Sequence, residues 1–118
     1  MHITIESRDE LRVFNLADIL YLQASRNYTD IHYTDGRTKS VLLGLSALET
    51  MIAFHAQQEQ QPNPFVRLGR SLVVNTDRVE LVSIKNKMIA FNSTPVITLE
   101  ASRTQLLLLK AHMSDLNK

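Results

Sequence analysis

The sequence predicts a β-dominated fold with two short helices, on three observations. Apolar and polar residues alternate through much of the chain, as in Ile3-Thr4-Ile5 and Leu11-Arg12-Val13, which is the spacing of half-buried strands. Turn residues punctuate those stretches at short intervals, Asp35-Gly36 most clearly. Two segments switch instead to helical spacing, one over about residues 45–54 and one over about 103–116.

Taken in order, Ile3, Ile5, Leu11, Val13 and Leu16 flank a charged turn at Arg8-Asp9-Glu10 and read as a first hairpin. Ile19-Leu20-Tyr21-Leu22 and Ile31-His32-Tyr33 read as paired strands, with Ala24 to Tyr28 as the loop between them. Asp35-Gly36 then turns the chain into a strand over Thr38 to Leu43, glycine tolerating the positive φ of a tight turn. Ser46 with Glu49 is a capping-box pattern, and Leu45, Leu48, Met51 and Ile52 share one helical face. The polar Gln57 to Pro64 stretch reads as a surface connection. Further on, Val79 to Ile84 and Met88 to Phe91 flank Lys85-Asn86-Lys87 as a hairpin with a basic tip, and Val73 and Leu81 are expected to face the core. Pro95 to Leu99 makes a last strand, with proline at its start, where a missing donor does least harm. Ser102 and Gln105 form a second capping pattern ahead of Leu106, Leu109, Met113 and Leu116, one face of a terminal helix.

Composition narrows the function classes. A chain of 118 residues is the size of one domain, taken as 1–118. There is no cysteine, hence no disulfide framework or cysteine-based zinc site, and a reducing cytoplasm is the natural compartment. No apolar run approaches the length of a transmembrane helix and no leader precedes Ile3, so no membrane insertion is expected. His2, His32, His55 and His112 are scattered, the three glycines are far apart, and no nucleophile elbow occurs, which argues against an enzyme and against any cofactor. Net charge is +1, but residues 1–60 carry 5 basic and 8 acidic side chains and residues 61–118 carry 8 basic and 4 acidic. The sums, −3 and +4, point to an anionic partner met through the second half.

The most specific stretch is Phe65-Val66-Arg67-Leu68-Gly69-Arg70-Ser71-Leu72-Val73-Val74-Asn75. Its β-branched end calls for a buried strand, so both arginines are expected ahead of it in the loop, where planar donors can meet a phosphate or a guanine edge. The pattern Phe-x-Arg-x-x-Arg-Ser-x-x-Val-Asn resembles the signature segment of the LytTR family of bacterial DNA-binding domains. Four more segments fall in that family's order: Asp18 to Ala24 with Asn27-Tyr28 beyond, Leu45 to Phe54, Val79 to Phe91, and Leu99 to Leu106 around Arg103. Many members carry histidine where this chain has Gly69, so the contact assigned to that histidine is not carried over, and a looser backbone is expected there.

The resemblance implies stacked antiparallel sheets that present loops along one edge, and duplex DNA read through those loops. The family's base- and backbone-contacting positions match Tyr28, with Asn27 beside it, Arg70 and Arg103. Arg67 is assigned to a phosphate or to pairing with Asp77, and Arg103 has a rival role in pairing with Glu100. Asn75, closing a strand, suits hydrogen bonds to the backbone of the following turn. The implied partner is double-stranded DNA at repeated sites, with room for a second copy on an adjacent repeat and for a regulatory protein. Most relatives attach this domain to a receiver domain, and the Met1 start close to a strand favours a free-standing regulator. The alternative is a small β-domain that binds an acidic protein. The two readings separate on whether Tyr28, Arg70 and Arg103 converge.

Overall fold

The computed structural model describes residues 1–116. In chain order it comprises strands β1 (His2–Glu6), β2 (Leu11–Asn15), β3 (Ile19–Ser25), β4 (Tyr28–Tyr33) and β5 (Thr38–Val41), then helix α1 (Leu45–Gln58). Strands β6 (Phe65–Arg67), β7 (Leu72–Asn75), β8 (Val79–Ser83), β9 (Met88–Phe91) and β10 (Ile97–Glu100) follow, and helix α2 (Arg103–Leu116) ends the described chain. The strands form a five-stranded sheet in the order β5-β4-β3-β7-β6, a three-stranded sheet β10-β9-β8, and the β1-β2 hairpin, all paired antiparallel.

Apolar side chains cover both faces of the five-stranded sheet, and each face has its own core. Leu22, Ile31 and Val73 pack with Ile3 and Phe14 of the first hairpin and with Leu45, Leu48 and Ile52 of α1. On the opposite face Tyr21, Leu72 and Val74 pack with Ile89 and Phe91 of the small sheet and with Leu106 and Leu109 of α2. A register shift between Ile19 and Tyr21 lets Ile19-Leu20-Tyr21-Leu22 serve both cores without strict alternation. Asn75 ties the layers: its Oδ1 accepts from Asp77 N at 3.1 Å and its Nδ2 donates to Ile19 O at 2.8 Å. The bond to the turn is the one expected from the sequence; the reach to Ile19 joins β7 to the start of β3. Within the second core, the Tyr21 ring stacks on His32 and on Phe91, with centroids 4.1 and 5.5 Å away.

Several boundaries differ from those expected, each for a local reason. The stretch from Ala24 to Tyr28 is a two-residue hairpin turn at Arg26-Asn27, because Ser25 and Tyr28 already pair across the strands. Strand β5 stops at Val41, and α1 runs to Gln58 instead of ending near Phe54, since Ala56 continues the buried stripe of Leu48 and Ile52. Gly44, not a serine, caps α1, so the Ser46-Glu49 pattern is no capping box here. Strand β10 begins at Ile97, two residues after Pro95. Leu81 is 47% exposed: a register shift between Val79 and Leu81 turns it to solvent and leaves Val82 and Ile84 to pack on the second core. Along α2, Leu106, Leu109 and Met113 face that core, and the side chain of Leu116 lies outside the described residues.

Candidate nucleic-acid interface

Strand β6 ends at Arg67, so this arginine stands on the strand and not in the loop. Phe65 and Val66 pack on opposite faces of the sheet, and the alternation returns Arg67 to the side of α1. There its Nη1 donates to Glu49 Oε1 at 2.9 Å and to Ser46 Oγ at 3.4 Å. Its Nε donates to Gly69 O at 2.7 Å and its Nη2 to Arg70 O at 2.8 Å. The pairing with Asp77 is therefore corrected: the carboxylate partner is Glu49, and Asp77 gives its backbone N–H to Asn75 instead. Ser46 and Glu49, one turn apart on α1, both meet this guanidinium.

Two more segments are bonded to the β6–β7 loop. Ala24 N donates to Ser71 O at 2.8 Å, continuing the β3–β7 ladder and setting the Arg26-Asn27 turn beside the loop. From the other side, Gln105 of α2 donates through Nε2 to Leu68 O at 3.1 Å. The same side chain completes a reciprocal cap: its Oε1 accepts from Ser102 N at 3.0 Å, while Ser102 Oγ accepts from Gln105 N at 3.1 Å. Ala101 N donates to Lys87 O at 3.1 Å, which brings the basic β8–β9 tip next to the start of α2.

One end of the molecule thus gathers the Arg26-Asn27 turn with Tyr28, the loop carrying Arg70, the first turn of α2 with Arg103, and the Lys85-Asn86-Lys87 tip. Asn27, Tyr28, Arg70 and Arg103 are all exposed, Tyr28 by 47%. Among the described residues no carboxylate pairs with Arg26, Arg70 or Arg103, and the proposed Arg103–Glu100 bridge does not form. Charges left unpaired on one exposed edge are free to meet an anion.

The sequence and the fold were compared with known proteins. The family model described as LytTr DNA-binding domain matches residues 9–114. The chain belongs to the LytTR family. A solved LytTr DNA-binding domain, from a Bacillus cereus protein described as a methyl-accepting/DNA response regulator, superposes with a TM-score of 0.59 at 14% identity. That match covers 93% of this chain and 94% of the other. Among curated proteins nothing matches. LytTR is a family of DNA-binding domains and not of enzymes, so this chain is a DNA-binding domain built of stacked antiparallel sheets and two helices. No helix among the described residues is long and apolar enough to cross a membrane.

Within this LytTR domain, Gly69 has φ +84, a conformation that favours glycine, and a Cβ there would meet nothing closer than Gln105 Nε2 at 4.0 Å. The carbonyls of Leu68, Gly69, Arg70 and Ser71 are all held by protein donors. Sequence reasoning missed the roles of Ser46 and Glu49, because their spacing fits a capping box equally well. It also gave Gln105 one task where the structure gives it two.

Proposed function

We propose that this LytTR domain, residues 1–118, is a transcription regulator that reads duplex DNA sequence-selectively through Asn27, Tyr28, Arg70 and Arg103. The observation that carries the reading is the pair of bonds, Ala24 to Ser71 and Gln105 to Leu68, that hold three separate chain segments at one end of the fold. Arg70 and Arg103 suit forked contacts to guanine, and Asn27 and Tyr28 suit a base edge or a phosphate. Arg67 supports the loop from behind. Lys85 and Lys87 at the neighbouring tip serve as outlying phosphate contacts. Binding at repeated motifs by two copies, each on its own repeat, follows as the mode of regulation.

The test is selection of bound sequences from a random duplex pool, followed by titration of one selected and one scrambled duplex across a salt series. The selected duplex is expected to bind far more tightly at moderate salt, and both affinities to fall steeply as salt rises. Equal affinity for the two duplexes would sink sequence reading. Sedimentation of the free domain is expected to show one chain's mass, and two chains per duplex that carries two repeats.

A further inference from the structure

We propose that the peptide N–H groups of Arg70 and Ser71 form a phosphate-gripping site, addressed to one phosphodiester of the duplex, and that Arg67 presets it from behind. The inference rests on the DNA-binding reading above and names a contact made by backbone, not side chain. A trans peptide places its carbonyl oxygen and its N–H on opposite sides. The carbonyls of Gly69 and Arg70 both point into the Arg67 guanidinium, at 2.7 and 2.8 Å. The N–H groups of those same two peptides belong to Arg70 and Ser71, so both point away from the guanidinium, side by side.

Neither N–H has an acceptor among the described residues, and Gly69, Arg70 and Ser71 are all exposed. A surface loop ordinarily shows solvent both donors and acceptors. Here every carbonyl from Leu68 to Ser71 is taken by Gln105, Arg67 or Ala24, so the backbone turns its donors outward. Glu49, the carboxylate of this network, is held behind the loop by Arg67. Successive backbone N–H groups in a turn, here one that passes through Gly69 at φ +84, form an anion-binding concavity. A phosphodiester offers two free oxygens to these two neighbouring donors, while the Arg70 side chain is left to the base edge. Arg67 is thus a positioning residue whose occupied guanidinium keeps the carbonyls back.

Two arms test this on the whole chain. In the first, inorganic phosphate is titrated while amide NMR is recorded for the parent, Arg70→Ala and Arg67→Met. The Arg70 and Ser71 amide protons are expected to shift downfield in the parent and in Arg70→Ala, and to lose that selective response in Arg67→Met. Shifts spread evenly over exposed amides, or abolished by Arg70→Ala, would overturn the proposal. In the second arm, Ser71 is replaced by its α-hydroxy acid, which removes the N–H and keeps the side chain. Selected and scrambled duplexes are both expected to bind about tenfold more weakly, with the ratio between them kept. Unchanged affinity for both would overturn the backbone site while leaving DNA reading intact. A parent that binds no duplex would instead sink the DNA reading, and the phosphate titration would still decide the amide site.

Discussion

Arg67 Nη1 lies 2.9 Å from Glu49 Oε1, and this ion pair fastens helix α1 to the loop between β6 and β7. The pair is partly exposed, 28% and 35% for the two side chains, so water screens much of its Coulomb energy. The weight of the contact lies in the two carbonyls that the same guanidinium holds. Arg67→Ala is expected to cost about 1–3 kcal/mol in urea unfolding, and Glu49→Gln less than about 1 kcal/mol. Arg67→Lys should recover little, because an ammonium lacks the planar fork that reaches a carboxylate and two carbonyls together. Full recovery by lysine would show that charge alone holds the loop.

Arg70 and Arg103 should behave in the opposite way. Both are exposed and, among the described residues, without ion pairs, so truncation to alanine is expected to leave stability within about 0.5 kcal/mol. Losing a forked guanine contact should weaken the selected duplex by about 1–3 kcal/mol and relax preference at one base position. Thermal melting beside duplex titration separates the two effects. Arginine variants that melt many degrees lower, or that bind as well as the parent, would remove these residues from DNA readout.

Lys85→Ala and Lys87→Ala should weaken selected and scrambled duplexes alike, with each lowering the salt slope by about one. A change in base preference instead would place the tip in a groove.

Val73 and Leu81 test the two faces of the strands. Val73 is fully buried in the first core, so Val73→Asp puts an unpaired carboxylate there and is expected to unfold the domain. Leu81 is 47% exposed, and Leu81→Asp should be tolerated. Circular dichroism melts of the two variants make the comparison.

This contrast shows where the sequence was legible and where it was not. Alternation and turn residues placed nearly every strand, and the Ser102–Gln105 cap appears as the pattern implies. What escaped were choices made by tertiary contacts. A one-residue shift in β8 reversed the facing of Leu81, and period alone cannot register such a shift. Ser46 and Glu49 carry the spacing of a cap but meet an arginine from a strand that follows α1 in sequence. Tyr28, Arg70 and Arg103 were singled out by type and family likeness, whereas their common edge came from β3–β7 register and from Gln105.

His32 gives a pH dependence. Burial pushes its imidazole below the ordinary value near 6.5, against a smaller upward pull from Asp30. Tyr21 of β3 stacks on the ring, Thr38 of β5 meets Nδ1 at 3.2 Å, Asp30 is hydrogen-bonded to Ser40, and Nε2 is buried without a partner among the described residues. The unfolded chain takes up the proton more readily. This contribution is therefore intact above pH 6.5 and is lost as pH falls from there toward the depressed folded value. Melts at about pH 8 and about pH 5.5 should show a drop that His32→Phe reduces. An equal drop in the variant would show that His32 does not set it.

Gln105 draws a line between two side chains that differ by a single atom. An N-terminal cap asks only for an acceptor, which glutamate supplies as well as glutamine. The bond to Leu68 O asks for a donor, and an ionised carboxylate has none. Hydrolysis of this one amide, the slow chemical ageing to which glutamine is subject, would leave the helix capped and release the loop. The neutral amide is therefore the joint between the terminal helix and the loop that carries Arg70.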